Sequence, residues 1–183
     1  MAASIDAARY PRRQQRLCWL CIPAAIENVL VYLGEQGWTQ ERIFGEWYLW
    51  RTGERWYQLG LYKAADGSVW ERFLPQRLEL ESPAKALEAS TLGAHLSFSF
   101  HQCDSPDEAI GIVRQRLISP RGAVPTIAST AVAGGAHMFV ITGYDEDAVR
   151  YHDPGCNEFR EIDMTTFSQV LGKKPHILLI DRR

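Results

Sequence analysis

The sequence has no long apolar run and no large excess of charge of either sign. No apolar stretch approaches the ~20 residues that span a bilayer, and residues 1–10 have no apolar core of a secretory signal peptide. The formal net charge is only -2 over 183 residues, so there is no strong attraction to nucleic acid or to an anionic membrane. We therefore expect a cytoplasmic protein that binds neither nucleic acid nor membrane.

Cysteine is also scarce. The chain contains four, Cys18, Cys21, Cys103 and Cys156, which are few for a disulfide scaffold of this length. Hydrophobic residues make up 46% and charged residues 23% of the chain, enough to bury one core without covalent cross-links. We expect free thiols and a single domain over residues 1–183.

A helix is predicted to begin within two residues of Cys21. Pro23 fits the first turn, where its missing N–H leaves no hydrogen bond unmade, and Gly34 and Gly37 mark the end of the helix. Apolar residues follow at the spacing of a helix with one buried face, at Ile22, Ala25, Ile26, Val29, Leu30 and Leu33. The prediction places the Cys21 thiol at a helix N-terminus.

The remaining pattern changes from helical to strand-forming along the chain. Helices are predicted over 39–50 and 82–93, from Ser105 onward with capping-box spacing to Glu108, and over 164–171. A hairpin is predicted around Asp66-Gly67, and strands over 95–101, 123–129, 138–144, 148–152 and 177–180. This order predicts an α+β fold, with a helical N-terminal half packed on an antiparallel sheet.

His137 is the histidine best placed to activate a thiol. The thiolate is the nucleophilic form of cysteine; a helix N-terminus favours it, and a histidine can hold the displaced proton. Among five histidines, His137 stands at the head of the most hydrophobic predicted strand, directly after the small residues of 133–136. Such residues permit close approach of a backbone or substrate, so His137 is predicted to face a groove.

Asp153 and Gln15 complete the candidate site. Antiparallel strands over 138–144 and 148–152 would return Asp153 to the neighbourhood of His137, where a carboxylate fixes the imidazole tautomer and stabilises its cation. Gln15 lies six residues before Cys21 and could donate to an oxyanion together with the Cys21 N–H. Gln14 is the alternative donor.

These blocks together resemble the papain-like cysteine peptidases that process bacteriocin leaders at double-glycine sites, and their stand-alone relatives. The family pattern is Gln, then Cys-Gly-Pro-Ala, later His before a Val-Ile-Gly-Tyr strand, then Asp-Pro; here it reads as Gln15, Cys21-Ile-Pro-Ala, His137 with MFVITGY, and Asp153-Pro. The resemblance implies a papain-like fold and the roles of oxyanion glutamine, nucleophile, general base and orienting carboxylate, in that order. It implies a peptide or protein substrate.

The chain departs from the family pattern at two places. Ile22 stands where the family has glycine, and the span between Cys21 and His137 is longer than in the leader peptidases. We expect a family-specific insertion within residues 38–100 that shapes a different substrate cleft.

Other readings of the thiols are possible. Cys18 precedes Trp19, another papain-like signature, and could be the nucleophile; Cys18 and Cys21 also form a CxxC that could be a redox pair. A zinc site would need two further ligands from Cys103, Cys156 or the histidines, but no second CxxC or HxxxH exists. We expect no cofactor.

Three functions are compatible with the sequence. The first is hydrolysis of a peptide or isopeptide bond by Cys21, His137, Asp153 and Gln15. The second uses the same acyl-enzyme for deamidation, transglutamination or acyl transfer. The third is a catalytically inactive papain-like fold that acts as a binding module. The sequence does not determine the oligomeric state.

Overall fold

A computed structural model describes residues 2–16, 20–53, 81–119, 122–132 and 135–183. The hairpin predicted around Asp66-Gly67, most of the predicted insertion and the alternative nucleophile Cys18 lie outside these residues. Those three therefore stay predictions.

The described chain contains five α-helices, one short 3₁₀ helix and seven strands. The helices are α1 (Cys21–Tyr32), α2 (Gln40–Thr52), α3 (Glu81–Glu88), the 3₁₀ helix (Thr91–Ala94), α4 (Pro106–Leu117) and α5 (Met164–Leu171). The strands are β1 (Ala3–Ser4), β2 (Leu96–Gln102), β3 (Thr126–Val132), β4 (Gly135–Tyr144), β5 (Ala148–Asp153), β6 (Glu158–Asp163) and β7 (His176–Arg182).

All seven strands belong to one antiparallel sheet. Its order is β2-β7-β3-β4-β5-β6, and β1 pairs with the C-terminal end of β4. The pairs β3 with β4, β4 with β5, and β5 with β6 are formed by consecutive strands. The predicted α+β class, with a helical first half on an antiparallel sheet, is confirmed.

Two strands were missed by the sequence analysis, β1 and β6. β1 has only two residues, too few for any periodicity. β6 reads Glu-Phe-Arg-Glu-Ile-Asp, and five of its six residues are exposed, because it is the last strand of the sheet and its side chains face solvent. An exposed edge strand lacks the apolar alternation from which strands are predicted.

Helix α1 begins at Cys21 as predicted but is not amphipathic. Ten of its twelve residues are buried, including Glu27 and Asn28, so the expectation of a single buried face is wrong. The helix contacts α2 as well as β3 and β4 of the sheet, and neighbours on several sides leave no solvent-facing stripe. Its polar residues must therefore find partners inside the protein.

Side-chain caps fix the starts of α2 and α4. Thr39 accepts a hydrogen bond from Arg42 N at the start of α2, and Ser105 accepts one from Glu108 N at the start of α4. The predicted capping box is shifted by one residue, because Glu108 accepts from Asp104 N instead of Ser105 N. No helix among the described residues is long and apolar enough to cross a membrane.

Candidate active site

Cys21 is the first residue of α1 and follows Leu20 in the N-cap position. Its side chain is a partly exposed free thiol. The first N–H groups of a helix have no partner within the helix, and the aligned peptide dipoles place partial positive charge there. The thiol thus lies where a negative charge on sulfur is favoured.

His137 and Asp153 are joined across neighbouring strands. His137 is the third residue of β4, and Asp153 is the last residue of β5. The β4–β5 pairing places Val140 opposite His152, so the start of β4 lies beside the end of β5. His137 Nε2 is 2.6 Å from Asp153 Oδ1. The hairpin argument from the sequence thus describes the geometry found, although β4 begins before His137 and not after it.

The hydrogen bond couples the ionisation of the two side chains. The bond to Asp153, followed by a hydrogen bond with Cys21, raises the pKa of His137 from 6.5 to about 9, against the opposing effect of burial. Burial raises the pKa of Asp153, but hydrogen bonds from His137 and Gly155 outweigh it and bring the pKa down to about 2. An imidazolium beside a carboxylate is therefore the favoured state near neutral pH.

The two ring nitrogens of His137 have different partners. Asp153 occupies Nε2, and the Cys21 side chain also hydrogen bonds with this imidazole. Nδ1 is the nitrogen left for sulfur. The arrangement can take a proton from Cys21 while Asp153 holds the ring and stabilises its positive charge.

Gly155 contacts the histidine and the aspartate at once, a feature that sequence reasoning missed. Its N–H donates to Asp153 Oδ1 at 2.8 Å. A Cβ built at Gly155 would lie 3.1 Å from that oxygen and 3.2 Å from His137 Cε1. The Asp-Pro-Gly sequence signals a turn, but nothing in the pattern shows that the glycine lies against the imidazole.

Gln15 is fixed beside the same turn. Its backbone N–H donates to the Pro154 carbonyl at 2.8 Å, and its side-chain oxygen is shielded from solvent. The neighbouring Gln14 is exposed. Of the two glutamines, Gln15 is the one whose backbone N–H binds the turn that follows Asp153.

His152 has a structural environment that the sequence did not reveal. Its side chain is fully buried. Tyr10 Oη is 3.0 Å from its Nδ1, and Asn157 Oδ1 is 3.1 Å from its Nε2. Burial lowers its pKa below 6.5, more than the hydrogen bond to Asn157 raises it. A neutral His152 thus connects the N-terminal segment to the turn that follows Asp153.

The two other cysteines among the described residues lie in contrasting environments. Cys103 is buried and Cys156 is exposed, and both are free thiols. Within the ranges that the structure describes, no group of three His, Cys, Asp or Glu side chains could hold a metal ion. Zinc coordination involving Cys18 would fall outside these ranges.

Comparison of the sequence with known protein families gives a match. The family described as papain-like cysteine protease AvrRpt2 matches residues 115–172, a stretch that includes His137 and Asp153. A search of curated protein sequences gives no significant match.

Three solved structures share the fold. A C39-like peptidase from Bacillus anthracis is 12% identical with a TM-score of 0.62, and all of both chains is covered. The peptidase domain of ComA from Streptococcus is 12% identical with a TM-score of 0.50, over 93% of this chain and 97% of that domain. UfSP from C. elegans is 11% identical with a TM-score of 0.54, over 98% of this chain and 34% of that one. The resemblance stated from the sequence blocks is confirmed: the chain has a papain-like fold, and the matches support a cysteine peptidase.

Proposed function

We propose that this protein hydrolyses peptide or isopeptide bonds through a thiol nucleophile. The observation that carries the proposal is the convergence of Cys21, at the start of α1, with the hydrogen-bonded pair of His137 and Asp153. A helix N-terminus, a base and a carboxylate that orients the base are the three elements needed to activate a thiol.

In the reactive form the Cys21 proton resides on His137, which is the imidazolium beside Asp153, and the sulfur is a thiolate. The sulfur then attacks the substrate carbonyl carbon, and the S–C bond forms as the carbonyl π electrons move onto oxygen. When this tetrahedral species collapses, the C–N bond breaks and the leaving amine takes the proton from His137. Water, deprotonated by His137, attacks the thioester and releases the new carboxylic acid together with the Cys21 thiol.

The negative oxygen of the tetrahedral species needs donors near the thiol. The N–H of Cys21 has no acceptor within α1, as for any first helical residue, and the Gln15 side chain belongs to a segment fixed at the same end of the site. Two such donors form an oxyanion hole. The resemblance assigns the glutamine the same role.

Reduced cysteine is a requirement of this chemistry. A reducing compartment such as the cytoplasm keeps a thiol available for attack, whereas an oxidising one converts exposed thiols to disulfides. This supports a cytoplasmic site of action, with a peptide or protein as substrate.

Selective alkylation tests the proposed nucleophile. After brief treatment with limiting iodoacetamide, peptide mapping should find the label mainly at Cys21, although Cys156 is more exposed. The exposed Cys156 thus serves as an internal reference thiol, and His137→Ala should slow labelling of Cys21 without slowing that of Cys156. Equal labelling of both thiols, or preferential labelling of Cys18, would contradict the assignment.

Product masses distinguish hydrolysis from the related reactions. Incubation with a mixture of unstructured peptides should give shorter fragments whose sum includes one added water per cleavage. Conversion of glutamine to glutamate without chain cleavage would instead show deamidation, and a product joined to an added amine would show acyl transfer. If Cys21→Ala retains binding of the same peptides but wild type cleaves none, the protein is a binding module.

A further inference from the structure

Three polar side chains in the core hold the segment that carries Gln15. Residues 13–16, here called the strap, form no helix or strand, so their backbone groups must find partners elsewhere. Asn28 of α1 and Gln40 of α2 supply them, and Glu27 of α1 hydrogen bonds with Gln40. Asn28, Gln40 and Glu27 are all at least 96% buried, with relative exposures of 0%, 1% and 4%. Burial of such polar groups is costly unless they form hydrogen bonds. The hydrogen bonds of these side chains join them to the strap backbone and to one another.

Asn28 fixes the start of the strap. Its Oδ1 accepts from Arg13 N at 2.7 Å, and its Nδ2 donates to Arg13 O at 2.9 Å. Nδ2 also donates to Ala24 O within α1 at 2.8 Å. One amide thereby binds both backbone groups of a strap residue and ties them to the helix that begins with Cys21.

Gln40 binds the backbone on both sides of Gln15. Its Nε2 donates to Gln14 O at 2.8 Å, and its Oε1 accepts from Arg16 N at 2.9 Å. Gln15 N–H itself donates to Pro154 O. Gln40 of α2 thus holds Gln15 through the backbones of Gln14 and Arg16, and Pro154 in the turn after Asp153 holds it through the Gln15 backbone N–H.

Glu27 fixes the orientation of Gln40. Glu27 Oε2 accepts a second hydrogen bond from Gln40 Nε2 at 2.9 Å. Because Glu27 Oε2 and Gln14 O are both acceptors in these bonds, the Gln40 amide is oriented with its nitrogen toward them. In that orientation the Gln40 oxygen is left for Arg16 N.

We propose that Gln40, oriented by Glu27, is a positioning residue that aims the Gln15 side chain into the oxyanion hole. This inference rests on the proposed function. A glutamine on a segment without secondary structure would otherwise sample many directions, and a donor displaced by even a short distance stabilises the oxyanion poorly. Gln40 acts through the backbone of Gln14 and Arg16 and does not contact the substrate.

The test compares two reactions of the same thiol. p-Nitrophenyl acetate acylates Cys21 through a tetrahedral oxyanion, with an S–C bond formed and p-nitrophenolate released. Iodoacetamide alkylates Cys21 by displacement of iodide at a saturated carbon, so no oxyanion forms. Gln40→Met removes the polar groups at similar length. It should slow acylation about tenfold or more, a part of the loss caused by deleting an oxyanion donor, and should leave the alkylation rate unchanged.

A double mutant separates positioning from a general structural role. If Gln40 acts through Gln15, the Gln15→Ala/Gln40→Met variant should be acylated as slowly as Gln15→Ala alone. Glu41→Gln is the matched control: it removes an ion pair between α2 and the Arg16 side chain but no bond to the strap backbone, so acylation should match wild type. Melting temperatures of wild type, Gln40→Met and Glu41→Gln are measured first, and all acylation and alkylation rates are compared below the lowest of them.

Each outcome decides the proposal. The positioning role is overturned, while the peptidase function stands, by any of three results. The first is acylation of Gln40→Met at the wild-type rate, the second is a parallel loss of its acylation and alkylation, and the third is slower acylation of the double mutant than of Gln15→Ala. A wild-type protein that is alkylated at Cys21 but never acylated overturns both.

Discussion

His137 and Asp153 form a 2.6 Å hydrogen bond between two adjacent antiparallel strands. Because the Asp153 carboxylate stabilises the imidazolium, its removal should shift the pH dependence of thiol reactivity. In Asp153→Asn, the alkaline limit of the Cys21 alkylation profile should move down by about one pH unit or more, the size typical of a lost charge partner. The shift is measured by alkylation reactions quenched at fixed times between neutral and alkaline pH, with the extent of labelling determined by intact-mass spectrometry. An unchanged profile would show that the carboxylate does not act on His137.

The same pair makes a contribution to stability with a defined pH window. The pKa of His137 is raised from 6.5 to about 9, so its share is complete below 6.5 and is lost as the pH rises through about 9. The pKa of Asp153 is lowered from 3.8 to about 2, so its share is complete above 3.8 and is lost as the pH falls through about 2. Denaturant unfolding should therefore show the largest difference between wild type and Asp153→Asn at about pH 5, and a smaller one near pH 9.5. A constant difference would argue against an ion pair.

Gly155→Ala should reduce activity more than stability. The added methyl group would lie closer to Asp153 Oδ1 and His137 Cε1 than ordinary contact distance, so the hydrogen-bonded pair must shift. Acylation by p-nitrophenyl acetate should fall severalfold, while the melting temperature changes by only a few degrees. Gly111→Ala provides the control, because a Cβ there meets no atom within 4 Å and alanine stabilises a helix interior by up to ~1 kcal/mol. Equal acylation rates in Gly155→Ala and Gly111→Ala would show that Gly155 does not contribute to the active site.

The two neighbouring glutamines give a matched pair of variants. Gln15→Ala should slow acylation by about 100-fold, the usual cost of one oxyanion donor, whereas Gln14→Ala should match wild type because its side chain is exposed. Alkylation by iodoacetamide should be equal in all three proteins. The reverse pattern of acylation rates would assign the oxyanion role to Gln14.

His152 should make the fold sensitive to mild acid. Burial holds its pKa below 6.5, so the unfolded chain takes up a proton that the folded chain excludes, and stability falls as the pH drops below 6.5. Between pH 7 and about pH 5, the free energy of unfolding should fall less in His152→Gln than in wild type. Tyr10→Phe should instead cost about 1 kcal/mol at every pH in this range, as expected for one lost hydrogen bond. Parallel pH profiles for wild type and His152→Gln would refute this role.

The α+β class, the helix start at Cys21, the β4–β5 hairpin and the candidate residues Cys21, His137 and Asp153 followed from the sequence by itself, which left Gln14 as an alternative to Gln15. These features could be predicted because each depends on local chemistry: apolar spacing, proline in a first turn, and a short connection that returns Asp153 to His137. The strand β6 could not be predicted, since its exposed side chains leave no apolar alternation.

Only the tertiary structure decided how the site is held. Glu27 and Asn28 read as polar residues on an amphipathic helix, yet α1 is buried on several sides and they face the interior. Gln40 reads as a residue of the first helical turn, yet it binds the strap 24 and 26 residues earlier in the chain. Gly155 reads as a turn residue, yet it lies against His137. Each of these roles depends on contacts between segments far apart in the chain, and no local pattern encodes which buried polar group will meet which backbone.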